Sequence, residues 1–180
     1  MPTEPSDPAI WIAPEYPRAD EPFTGPERAM LDGFLDWYRA GLLRRCTGLT
    51  ARQLADRPVP PSNLSLLGIV RHLTDVERTY FRRRWGGEDL AGHYVTPDRP
   101  DAAFDEADPQ YARRDLDRLV AEQEAARRAV AGLSLETIYV NPRWGEMSLR
   151  WALTHMIAEY AAHGGQADLI RERIDGSTGW

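Results

Sequence analysis

The sequence predicts an all-α protein, a four-helix bundle of up-down-down-up topology. Three observations point there. Four stretches carry apolar residues at three- and four-residue intervals, the spacing of one helix face. Capping and stop signals bracket those stretches. The connection after the second is long enough, at ~3.3 Å per residue, to cross the ~30 Å length of a bundle, which lets the second and third long helices run parallel.

Residues 1–24, rich in proline and acidic side chains with Trp11 and Tyr16 interspersed, read as an irregular arm whose aromatics pack on the body. Residues 25–180 read as one domain. The first long helix is expected from a capping box at Thr24-Gly-Pro-Glu27 to about Thr47, with Met30, Phe34, Trp37 and Gly41 on one face and Leu31, Leu35, Tyr38 and Leu42 adjoining. Apolar residues on more than one face make a homodimer an expectation. Cys46, in its last turn, reads as a small core residue rather than a nucleophile.

A short helix, Thr50 to Asp56, opens on a second capping box and ends at the prolines that follow. The second long helix spans about Ser65 to Trp85 and stops at Gly86-Gly87, with Leu66, Ile69, Leu73, Val76 and Tyr80 inward and His72 on the same stripe. Residues 88–108 show no period. The third long helix, about Pro109 to Ala131, turns Ala112, Leu116, Leu119, Gln123 and Val130 inward, and its dense Arg, Asp and Glu read as a solvated face of i,i+4 pairs. Residues 132–147 read as a connection with a turn over the bundle end. The last long helix runs from Ser148 to Ile174.

Composition excludes several function classes. The chain is 180 residues with a net charge of −6, which disfavours non-specific nucleic-acid binding. No apolar run approaches a membrane span, and no charged-then-apolar start marks a signal peptide; a cytoplasmic protein is expected. A single cysteine rules out an internal disulfide and fits a reducing compartment. Every basic residue is arginine, a mark of a high-GC genome.

The chemistry concentrates in the last helix. His155, Glu159 and His163 fall four residues apart and stack on one side. The two histidines are about 12 Å apart along the axis, so one ion with ligands near 2 Å joins an adjacent pair but hardly both. A third ligand must come from another helix. His72 lies thirteen residues before the end of its helix. If the second and fourth helices are antiparallel, that depth falls between Glu159 and His163; if parallel, His72 is level with His155. The long crossover favours the antiparallel case, hence a site of His72, Glu159 and His163. Two imidazoles and a carboxylate leave an open position, as in catalytic zinc, iron, nickel or cobalt sites. Asp75, Tyr80, His155 and Gln166 are the nearest polar candidates to orient those ligands.

Val70-Arg-His72-Leu-Thr-Asp-Val-Glu77, together with the run Leu149 to Asp168, resembles the DinB-like superfamily from about residue 25 onward. The likeness is closest to its thiol-dependent branch, which holds the N-terminal domain of mycothiol-dependent maleylpyruvate isomerase and mycothiol S-transferases. Arg171-Glu-Arg-Ile-Asp-Gly176 fits the ending of small actinobacterial members. The resemblance implies the up-down-down-up bundle and a divalent metal held by His72 and by two groups one turn apart on the last helix. Many members carry histidine at both those positions; Glu159 at the first implies the thiol-transfer branch.

The function so implied is a divalent-metal-dependent thiol transferase. The metal, zinc before nickel or iron, activates mycothiol for attack on a small electrophile, as in detoxification. The isomerase carries a second domain that this chain, ending at Trp180, is not expected to supply, so S-transfer is expected rather than maleylpyruvate isomerisation. Two other classes stand beside it: a hydrolase using metal-activated water, and a non-catalytic metal- or thiol-binding stress protein.

Overall fold

The computed structural model describes residues 11–178, so the arm is seen only from Trp11 onward. The chain is mostly helical with one two-stranded sheet. In order come α1 (Glu27–Cys46), α2 (Ala51–Ala55), α3 (Leu66–Glu77) continuing into a π-helical stretch (Arg78–Trp85), α4 (Ala102–Asp105), a 3-10 turn (Pro109–Tyr111) leading into α5 (Ala112–Val130), β1 (Ile138–Asn141), β2 (Gly145–Ser148) and α6 (Leu149–Asp175). Among the described residues no helix is long and apolar enough to cross a membrane.

Local chemistry places the helix ends. Ser65 accepts from the Gly68 N–H and Ser148 from the Trp151 N–H, each satisfying one orphan donor of a first turn. Thr50 and Gln53 form the reciprocal capping box expected of them. Gly176, at φ 79°, ends α6 in the left-handed conformation that glycine adopts without strain. The box expected at Thr24 does not form. α1 starts later, with Pro26 at its N-cap and no side-chain cap bond.

Three further expectations are corrected. Residues 88–108 hold α4, which the aperiodic sequence conceals. Residues 132–147 contain an antiparallel hairpin, Ile138 opposite Ser148 and Asn141 opposite Gly145, whose turn is tied by Asn141 Oδ1 accepting from the Arg143 and Trp144 N–H groups. The charges of α5 are not all solvated. Asp115 is buried against Arg71 (3.1 Å), and Glu122 is buried against Arg78 (2.6 Å) and Arg82 (2.9 Å).

α1 packs on α6, α3 on α5, and α3 also meets α6. The cross-links hold a constant register. Arg71–Asp115 and Arg78–Glu122 are both 44 residues apart, and Glu27–Arg150 and Arg45–Asp168 are both 123 apart. Leu35, Leu42, Leu66, Leu73, Phe81, Leu116, Leu119 and Met156 fill the shared interior. Cys46 is fully buried there, and burial pushes its thiol up to about 12, so it is no nucleophile. Arm residues reach the body: Ala13 is buried and exchanges backbone bonds with Gly48 and Leu49, and Pro22 sits over Gly33 on α1.

At the centre lies a polar quartet with one member from each long helix. Arg39 of α1 donates twice to Glu77 of α3, at 2.7 Å each. The Tyr160 hydroxyl of α6 donates to Glu77 at 2.8 Å and accepts from Gln123 of α5 at 3.1 Å. All four side chains are buried. With Tyr160 held inward, the rotation of α6 is set, and its neighbour Glu159 turns toward the seam with α3.

Candidate metal centre

Two rows of side chains face each other along that seam. α3 and its π continuation present His72, Val76, Tyr80 and Arg84; α6 presents His163, Glu159, His155 and Trp151 in the reverse order. The rings of His72 and His163 are 4.8 Å apart, and those of Tyr80 and His155 4.9 Å. On an α-helix every four-residue step overshoots a full turn by about 40°, so such a row soon drifts off the face. The wider turns from Arg78 onward, seen in the Gly86 N–H bonding the Phe81 carbonyl five residues back, take up that drift. Tyr80 thereby stays opposite His155.

His72, Glu159 and His163 come together. Each offers one ligand atom, and the three atoms lie within 4.8 Å of one another. Donors at ~2.0–2.2 Å from a shared ion stand up to about 4 Å apart, so a small side-chain rotation closes the set. Burial, and then the charge of His163, push the His72 imidazole down to about 4, so it is neutral at pH 7 with a lone pair to give. Phe104 of α4 stacks on it, with centroids 5.2 Å apart. His163 Nδ1 lies 2.8 Å from Gln166 Oε1. With that oxygen as acceptor, Nδ1 carries the proton and Nε2 presents its lone pair toward Glu159. The Glu159 carboxylate sits between two imidazoles, 3.9 Å from Nε2 of His163 and 3.9 Å from Nε2 of His155, beyond hydrogen-bond reach of either. Three donors converge, partly exposed, without satisfying one another.

The other singled-out residues divide. Gln166 touches a member of the triad. His155 lies one turn along α6, stacked on Trp151 with the rings 8° from parallel and facing Tyr80. Asp75 is otherwise engaged: its carboxylate accepts the backbone N–H groups of His93, Tyr94 and Val95 at 2.6–2.9 Å. It fastens the 92–95 loop to α3 and makes no hydrogen bond to the triad. Sequence reasoning passed over Phe104, Trp151 and Arg84. The last two were within reach, each one four-residue step beyond Tyr80 or His155.

A cleft of about 640 Å³ opens elsewhere, lined by α1, α5 and the chain after α5, with Leu35, Phe81 and Leu153 in its floor. No triad residue lines it, and its rim charges are already paired, Arg28 with Asp32 and Arg127 with Asp36. The unsatisfied donors therefore mark the α3–α6 seam and not this cleft. In comparisons with known proteins, a family model described as Mycothiol-S-transferase matches residues 30–176. No curated protein and no solved structure matches the chain.

Proposed function

The chain belongs to the mycothiol-S-transferase family, and on that premise we propose that it joins the sulfur of a low-molecular-weight thiol, mycothiol, to an electrophilic carbon with the help of a divalent metal at His72, Glu159 and His163. One observation carries the reading: in a member of a thiol-transfer family, two imidazoles and a carboxylate from separate helices converge within 4.8 Å. Such a donor set suits zinc and also accepts nickel, iron or cobalt, with a coordination position left over. A cation held there supplies, when bound, the positive charge that deprotonates a thiol at neutral pH.

The protein's own residues do the rest. Gln166 holds His163 in the tautomer that frees Nε2. Phe104 shields one face of His72 from water. The partly exposed sides of Glu159 and His155 give the released thiol proton a route to solvent. A sulfur–carbon bond forms as the carbon–leaving-group bond breaks, and the leaving group departs with its electron pair. With Cys46 sealed in the core, the thiol is a cosubstrate.

The architecture that brings the triad together is an up-down-down-up bundle whose helices run from α1 to α6. Its support is the register of the cross-links. Equal separations of 44 between α3 and α5, and of 123 between α1 and α6, belong to parallel pairs. Along α3 and α6 the pairings His72–His163 and Tyr80–His155 rise on one helix as they fall on the other.

Metal-loaded protein incubated with mycothiol and monochlorobimane tests the function. Fluorescent conjugate should form well above background and be lost in His72→Ala. Metal retention with no conjugation overturns the transferase reading in favour of a binding protein. Ester cleavage in its place overturns it in favour of a hydrolase.

A further inference from the structure

Beyond the triad, the seam ends in a cation with nothing to bind. Arg84 lies over the Tyr80 ring, its guanidinium carbon 4.1 Å from the centroid, with Tyr139 at 5.9 Å. It makes no ion pair or hydrogen bond among the described residues, and its NH1 is sealed from water without a partner. The two other partly buried arginines of that helix are paired. Arg78 bonds Glu122, and Arg82 bonds Glu88 and Glu122. A donor withdrawn from water and left unbonded is destabilising, and it is uncommon in folded proteins unless a ligand completes it.

Position says which ligand. Helical side chains lean toward the N-terminus, so the guanidinium comes back over Tyr80, toward the triad. The path runs from Glu159 to the His155 ring nitrogen at 3.9 Å, from the His155 ring to Tyr80 at 4.9 Å, and from Tyr80 to Arg84 at 4.1 Å. That path is longer than a benzene ring carrying a substituent at each end, and leaves room for a carboxylate–guanidinium contact at one end and the attacking sulfur at the other. It is floored by aromatic rings, with Trp151 stacked beside His155 and partly exposed. Flat rings favour a flat guest, and a guanidinium favours a carboxylate, which it binds through two parallel hydrogen bonds.

The geometry points to Arg84 as the substrate-anchoring residue of this site: it selects planar electrophiles that carry a carboxylate about one aromatic ring away from the carbon attacked. This deepens the transferase reading and rests on it for the reaction, though not for the binding.

A matched pair of electrophiles tests it, 4-(bromomethyl)benzoate and its methyl ester. In both, sulfur bonds to the benzylic carbon, bromide leaves with the bonding electrons, and the thiol proton goes to solvent. The wild type should prefer the acid, and Arg84→Gln should lower the acid-to-ester ratio of kcat/KM by roughly tenfold or more, the loss of a charge-assisted bond, mainly through the KM of the acid. Arg84→Lys, which keeps the charge over the rings without the fork, should fall between and serves if the glutamine variant does not fold. An unchanged ratio overturns the inference, as does an equal loss for acid and ester, which marks Arg84 as a structural staple between two tyrosines. Equilibrium dialysis with the unreactive 4-methylbenzoate and its methyl ester separates this from the function itself. If no thiol transfer occurs but the wild type binds the acid better than the ester and Arg84→Gln does not, the anchor stands and the transferase falls. Equal binding of acid and ester by the wild type removes the anchor.

Discussion

Tyr160 and Glu159 are neighbours in sequence and opposites in circumstance. Tyr160 turns inward to the quartet with Arg39, Glu77 and Gln123, where every partner is within 3.1 Å and all four residues are buried. Glu159 turns to the seam, where its nearest nitrogens stand at 3.9 Å and water reaches it. Both clusters are polar and both join α3 to α6. One is closed and complete, the other open and lacking a centre. A satisfied buried network specifies how helices pack; polar groups that converge without pairing are prepared for something else.

That contrast is broken most severely at Glu77. Glu77→Ala strips the buried Arg39 guanidinium of its two bonds to Glu77 and leaves it only the half-exposed Asp36 at 2.9 Å, and equilibrium urea unfolding should show a loss of about 3–5 kcal/mol, the usual range for half of a buried ion pair. A cost near that of a surface mutation contradicts the quartet's structural role.

Next comes pH. The folded-state value of His72 is pushed down to about 4, below the ordinary 6.5, so between these limits the unfolded chain binds more protons than the folded one. In metal-free protein the contribution of a neutral His72 is fully present above pH 6.5 and lost as pH falls toward 4. His72→Gln should flatten that part of the stability curve, and an unaltered curve refutes the assignment. Metal affinity should weaken over the same acidic range, since protons and cation compete for the imidazole.

Gln166→Ala tests the open cluster from its edge. Removing the acceptor for His163 Nδ1 should weaken metal binding roughly 10- to 100-fold by competition titration against a chelator, with little change in apo-protein melting. An unaltered affinity makes Gln166 a bystander. Tyr160→Phe removes one hydroxyl bonded to both Glu77 and Gln123 and should cost about 1–2 kcal/mol of stability. The smallest effect is the sharpest comparison. Glu159→Gln, beside it, should alter the stability of metal-free protein by no more than about 0.5 kcal/mol, as for other partly exposed groups that make no hydrogen bond.

Much of this was legible before the structure, where one period governs. The spacing of Leu66, Ile69 and Leu73 and the depth count from Trp85 were enough to set His72 level with the turn between Glu159 and His163. The rest depends on partners distant in sequence. Nothing in the charge-rich run of α5 tells that Asp115 and Glu122, and not Asp117 or Glu124, meet an arginine 44 residues earlier. The π turns follow Arg-Thr-Tyr-Phe-Arg-Arg-Arg-Trp, too short and too basic to tell a wider turn from an ordinary one. The hairpin escaped because its aliphatic Ile138 and Val140 are exposed while the face turned to the core is Tyr139, Asn141 and Met147, so the alternation reads the wrong way round. The approach of Pro22 to Gly33 gave no signal either, since a glycine carries no pattern of its own.

Cobalt(II) titration of the metal-free protein, followed by addition of mycothiol, tests the central claim most directly. The triad predicts one cobalt per chain, a visible spectrum of low-coordinate cobalt, and a new sulfur-to-cobalt charge-transfer band when the thiol is added. All three should vanish in His72→Ala. Cobalt that fails to bind, or that binds with the same spectrum in His72→Ala and shows no sulfur band, contradicts the claim.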